Sequence, residues 1–273
     1  MNATIHNLDA FILATAGLLG GFVLTAAFRQ LALKKRIIDL PNQRSSHSQP
    51  TPRGAGAAFA VCISLMLLTF WHLGFIDTAL FIALCIPGFI VASIGFVDDI
   101  RSVKRRWRLL AQASSAVIVL GTLNTSVITE SVGHPLFSAA LILILAIGLI
   151  WMTNLFNFMD GINGIASFQA ISVLLGASSL LWLSGDDHWS LLLALLATPI
   201  VGFLYWNFPT AKTFMGDSGS GYLGILIGTL ALFTSLHTSL SFWVWLILMA
   251  VFLTDTLWTL SVRFMSKQAW YQP

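Results

Sequence analysis

The chain has 273 residues, 57% of them hydrophobic and only 9% charged, with a mean hydropathy of +0.85 and a formal net charge of +3. A soluble domain carries about 25% charged residues, so composition excludes one and indicates an all-α, polytopic integral membrane protein. No run interleaves bases with aromatics as a nucleic-acid surface does. Cys62 and Cys85 both fall inside apolar runs, which implies neither a disulfide framework nor a thiolate metal site.

Nine apolar segments, each roughly 17–21 residues, are long enough to cross a hydrocarbon core of about 30 Å as helices. They are expected near 8–28, 55–73, 79–97, 109–128, 136–153, 165–184, 190–206, 219–236 and 242–262. The connections are short, which leaves one integral domain, 1–273. All 14 lysines and arginines fall in alternate connections: six in 29–53, five in 101–108, one at 212 and two in 263–267. By the positive-inside rule those connections are cytoplasmic, the N-terminus is outside and the C-terminus inside.

The first basic connection contains Pro41-Asn-Gln-Arg44-Ser-Ser-His47-Ser-Gln-Pro-Thr-Pro-Arg53-Gly54. Its prolines and glycines rule out a continuous helix. Most of it reads as a solvated linker, while Arg44, His47 and Arg53 are candidates to meet an anionic headgroup. The third span ends in Gly95-Phe-Val-Asp98-Asp99, and five cations follow within nine residues. Adjacent carboxylates repel and need a cation, a proton or strong donors to coexist. Of the cations, Arg108 is best placed to reach a phosphate, at the point where the fourth span re-enters the membrane.

Asn154, Asn157, Asp160 and Asn163 recur every three residues at the end of the fifth span. On a helix that spacing keeps side chains on one slowly drifting face, and such groups are costly there unless they meet each other, water or a ligand. The connection 207–221, with Lys212 and Gly216-Asp217-Ser-Gly-Ser-Gly221 opening the eighth span, resembles an anion nest at a helix N-terminus. Asp217 would repel a bare phosphate there, so a bridging Mg²⁺ is the natural resolution. Asp255 is the one acid deep in a span and is a candidate for a functional role.

In this order and on this topology, four motifs resemble those of the polyprenyl-phosphate N-acetylhexosamine-1-phosphate transferases. They are 41–54, Gly95-Phe-Val-Asp-Asp99, Asn154-Leu-Phe-Asn-Phe-Met-Asp-Gly-Ile-Asn-Gly164 and Phe214-Met-Gly-Asp-Ser-Gly-Ser220. This family includes the peptidoglycan translocase and the O-antigen-initiating enzymes, and the first and third motifs look most like the latter. The resemblance implies transfer of a sugar-1-phosphate from a UDP-N-acetylhexosamine to undecaprenyl phosphate at the inner leaflet of the bacterial inner membrane, with release of UMP. It implies Asp217 and Asn157 as ligands of Mg²⁺ (Mn²⁺ being the alternative dication) and Asp98 and Asp99 as the acidic pair beside the lipid phosphate, one of them a base. It further implies Arg108 on the diphosphate and Asn154, Asp160 and Asn163 in the nucleotide segment. Relatives are often homodimers.

Two departures are visible. Bacterial relatives mostly carry Asp where this chain has Asn163. The family's histidine loop and last span or spans would begin at 269–273, where this chain ends, so it is expected to lack them. The competing readings are a lipid flippase or transporter, which asks for binding groups near the midplane, and an inactive scaffold of envelope synthesis.

Overall fold

A computed structural model describes residues 7–41, 49–123 and 134–266. Arg44 and His47 lie outside the described residues. Helix α1 (Asn7–Lys35) runs on past the expected end of the first span, so Arg29 through Lys35 are helical rather than part of a linker. Its last turn carries Lys34 and Lys35, where cations favour the helix dipole. A two-stranded antiparallel ladder follows, β1 (Ile38–Asp39) on β2 (Thr51–Pro52).

The next helices are α2 (Gly56–His72), α3 (Thr78–Ile100), α4 (Arg105–Thr122), α5 (Pro135–Met159), α6 (Ile165–Leu183), α7 (Asp187–Asn207) and α8 (Gly216–His237). Asp77 caps α3 by accepting the Leu80 N–H at 2.7 Å. Helix α4 starts earlier than the expected span, so Arg105, Arg106 and Arg108 occupy its first turn.

The bundle is built around α8. Every residue from Ser218 to Thr234 is buried, and the helix packs against α3 on one side and α5 on another. Its glycines and small side chains make that central position sterically accessible. A Cβ on Gly95 of α3, for instance, would lie 2.5 Å from the Asp217 carbonyl oxygen, so the two helices touch backbone to backbone.

The ninth expected span is broken. Helices α9 (Phe242–Leu248) and α10 (Ala250–Met265) meet at Met249 with a 70° bend. The break is stabilised from α6, where the Gln169 side-chain amide donates to the Leu248 carbonyl at 2.9 Å. That bond replaces a ladder partner which the straight helix would have supplied.

Among the described residues six helices are long and apolar enough to cross a membrane, and the bent pair makes seven if counted as one span. Helix α2 is shorter, at 17 residues, and α4 opens on arginines. The chain is a polytopic helical membrane protein, and among the described residues length and apolarity establish six or seven of the nine spans expected.

Candidate active site

Five of the polar residues singled out from sequence lie at helix ends on one side of the bundle. Asp98 and Asp99 end α3, Arg108 opens α4, Asn157 is in the last turn of α5, and Asp217 opens α8. Antiparallel neighbours bring these ends together. Residues 52–56 run alongside 213–215 through backbone bonds: Phe214 N–H to Pro52 carbonyl at 2.7 Å, Ala55 N–H to Phe214 carbonyl at 3.1 Å, and Gly56 N–H to Met215 carbonyl at 2.8 Å. This backbone pairing carries Arg53 into the cluster.

Two guanidiniums then tie the carboxylates into a ring. Arg53 donates from Nε to Asp99 Oδ1 and from Nη2 to Asp217 Oδ1, both at 2.8 Å. Arg108 donates to Asp98 Oδ2 at 3.0 Å, to Asp217 Oδ2 at 3.1 Å and to Asn157 Oδ1 at 3.4 Å. Asn157 in turn donates to Ser220 Oγ at 3.2 Å. Burial disfavours the Arg53 charge, but Asp99, Asp217 and Asp39 more than offset this and raise its proton affinity.

The adjacent acids have different roles. The Asp99 side chain is fully buried and accepts the N–H groups of Asp217 (2.9 Å) and Ser218 (3.1 Å) besides Arg53. These are orphan donors of the first turn of α8, so Asp99 caps that helix from α3. Gly216, at φ +73°, leaves room for it; a Cβ there would meet both Asp99 carboxylate oxygens at 2.5 Å. The expected anion nest at Gly216–Ser218 is therefore filled by the protein's own carboxylate. Asp98 points elsewhere. It accepts the Val103 N–H at 2.6 Å, shares Arg108 with Asp217, and lies within hydrogen-bonding reach of the Asp217 carboxyl.

Beside the ring opens a cavity of about 290 Å³ whose wall includes Asp39, Arg53, Asn157, Asp160, Asn163 and Asp217. Asp160 follows the end of α5, and its carboxyl has no hydrogen-bond partner among the described residues. Burial, then the charges of Asp217 and Asp99, push its proton affinity well above the ordinary carboxylate value. Asn163 donates to the Pro209 carbonyl at 3.2 Å.

Four of the sequence expectations are displaced. The period-three register holds only while the chain is helical, so Asp160 and Asn163 sit in the turn after α5. Asn154 faces α4 instead of the cavity, in a reciprocal amide pair with Gln112 at 2.9 and 3.3 Å. Lys212 stacks over Tyr205 at 4.4 Å and Trp206 at 5.4 Å, away from the cavity wall. Asp255, on α10 beyond the bend, is exposed and makes no hydrogen bond or ion pair among the described residues.

Sequence reading missed Asp39, Gln112, Asn207 and Ser220. Asn207 is buried and pins two connections together, accepting the Gly164 N–H at 2.8 Å and donating to the Thr213 carbonyl at 3.0 Å. Gln112 carried a usable signal, since it lies one turn after Arg108 on the same helix face.

Among the described residues no three His, Cys, Asp or Glu side chains are placed to hold a metal by themselves. The donor set still suits Mg²⁺, which takes one or two carboxylates and completes its shell with phosphate oxygens and water. Asp98 and Asp217 are neighbouring carboxyls with the Asn157 amide oxygen alongside, and the acids of ring and cavity outnumber the two guanidiniums.

Residues 80–235 match the glycosyl transferase family 4 description. The chain is 28% identical over 270 residues to a probable undecaprenyl-phosphate N-acetylglucosaminyl 1-phosphate transferase of Bacillus subtilis, covering 95% of this chain and 72% of that relative. It is 32% identical over 212 residues to the undecaprenyl-phosphate alpha-N-acetylglucosaminyl 1-phosphate transferase of Thermotoga maritima, covering 76% of this chain and 60% of that protein. It is 31% identical over 269 residues to a phospho-N-acetylmuramoyl-pentapeptide-transferase of Heliobacterium modesticaldum, covering 91% and 79%.

Proposed function

Since the chain belongs to glycosyl transferase family 4, we propose that it transfers N-acetylhexosamine-1-phosphate from a UDP-sugar to undecaprenyl phosphate, releasing UMP, as a first step of O-antigen or related envelope polysaccharide synthesis. In this reading the reaction runs at the cytoplasmic face of the bacterial inner membrane; the basic connections, which lie on the side that carries the ring, support that face. The carrying observation is the ring itself, in which Arg53 and Arg108 converge on Asp217 at the edge of a polar cavity.

An oxygen of the lipid phosphate attacks the sugar-bearing phosphorus of the UDP-sugar. A new phosphoanhydride forms as the bridge to UMP breaks, and UMP leaves with the bridging oxygen. In-line displacement of this kind needs positioning and neutralisation of charge. Arg53 and Arg108, both about one-third exposed, are the groups that reach diphosphate oxygens as Asp217 gives them up. Asp98, unlike Asp99, is not committed to α8, so of the adjacent acids it is the one available to the reacting phosphates and their dication. Asp160, Asn163 and Asn157 line the volume offered to the nucleotide and sugar. Mg²⁺, held by Asp217, Asn157 and Asp98, would supply Lewis-acid stabilisation of the transferred phosphoryl group and of departing UMP.

The transporter reading draws less support, because these polar groups gather at helix ends and not at mid-bundle. The test is release of UMP by the purified chain given undecaprenyl phosphate, Mg²⁺ and each of a panel of UDP-N-acetylhexosamines. Release with at least one sugar, abolished by EDTA, supports the reading. No UMP with any of them refutes it.

A further inference from the structure

The five cations of 101–108 do not act together. Arg108 turns inward onto Asp98 and Asp217, whereas Arg101 and Lys104 are exposed, with no side-chain hydrogen bond or ion pair among the described residues. Both line an open groove between α3 and α4. Its walls are apolar, from Ile94 and Val97 on α3 and from Trp107 and Leu110 on α4. Trp107 and Leu110 are 52% and 57% exposed.

A topological signal needs cations only in water. Here two of them line an apolar furrow at the facing ends of α3 and α4 together with the Trp107 indole, and tryptophan favours the membrane–water interface. Cationic head and apolar length together match one kind of occupant.

We infer that the α3–α4 groove binds an anionic phospholipid of the surrounding leaflet, its phosphate at Arg101 and Lys104 and one acyl chain along Ile94, Val97 and Leu110. The bound lipid would brace the 101–104 connection, whose Val103 N–H holds Asp98. This inference needs only that the helices sit in a membrane; it does not depend on the transfer reaction.

The test is native mass spectrometry of the detergent-released chain titrated with phosphatidylglycerol and with phosphatidylcholine of the same acyl chains. Wild type is expected to retain phosphatidylglycerol preferentially at one lipid per chain. The double variant Arg101→Gln/Lys104→Gln should weaken that retention about thirty-fold, the combined effect of two surface cations on a leaflet phosphate. Ala111→Trp, which fills the groove without altering charge, should also remove it. Arg105→Gln removes a neighbouring cation that does not line the groove and, screened by salt in detergent, should leave retention within about threefold of wild type.

Equal retention of both lipids, or a loss in Arg105→Gln matching that of the double variant, would overturn the inference, because general surface attraction would then explain the binding. Displacement of the phosphatidylglycerol by one equivalent of undecaprenyl phosphate would overturn it too, assigning the groove to that lipid instead.

Discussion

Replacing Asp99 by Asn should cost stability first, whereas replacing its neighbour Asp98 should cost turnover. The Asp99 carboxylate is fully buried and accepts three bonds of 2.8–3.1 Å from Arg53, Asp217 N–H and Ser218 N–H. An asparagine offers one oxygen, and its NH₂ then faces a donor. Removing one partner of a buried charge pair costs about 3–5 kcal/mol; Arg53 is one-third exposed and keeps Asp217, so the lower end, about 3 kcal/mol, applies here. At roughly 2–4 °C per kcal/mol for a chain of this size, the melting temperature should fall by about 6–12 °C.

Asp98→Asn keeps an oxygen for the Val103 N–H, and Arg108 keeps Asp217 and Asn157. Its melting temperature should move by no more than about 3 °C, while UMP release drops on the order of 10²–10³-fold. Thermal unfolding followed through the ten tryptophans, run beside the turnover assay, separates the two. The reverse pattern, with Asp99→Asn melting like wild type and Asp98→Asn melting lower, would refute the division of roles.

Gly216→Ala should yield little folded protein in a size-exclusion assay, because its Cβ would fall 2.5 Å from both Asp99 oxygens at a φ of +73°. Arg108→Lys keeps the charge but loses the fork that spans Asp98 and Asp217, so turnover should fall at least tenfold with melting nearly unchanged. Asp160 has a raised proton affinity in the folded chain, so its protonated form favours folding. That stability is present at acid pH and is lost as pH rises from the ordinary carboxylate range through the raised value. Asp160→Asn should remove this slope from a melting-temperature profile against pH. Asp255→Asn should leave UMP release within about twofold, since the exposed carboxyl has no partner among the described residues.

Much of the helical order was legible in the sequence because apolar length and charge placement are local signals. The site motifs were legible for a similar reason, since polar groups at the ends of apolar runs stand out. Three features were not. The break at Met249 involves neither proline nor glycine and depends on Gln169 of another helix. The different fates of Asp98 and Asp99 depend on which of two adjacent side chains points at α8, which no local pattern encodes. The period-three asparagines assumed a helix that stops at Met159, so only Asn154 and Asn157 obey it, and they face different partners.

The central claim is that Asp98 and Asp217 share one dication when the UDP-sugar is bound. Electron paramagnetic resonance of Mn²⁺ titrated into the chain with UDP-N-acetylglucosamine measures this directly. One tightly held Mn²⁺ per chain is expected, released by Asp217→Asn and weakened by Asp98→Asn. Full, stoichiometric Mn²⁺ binding in the combined variant Asp98→Asn/Asp217→Asn would contradict it.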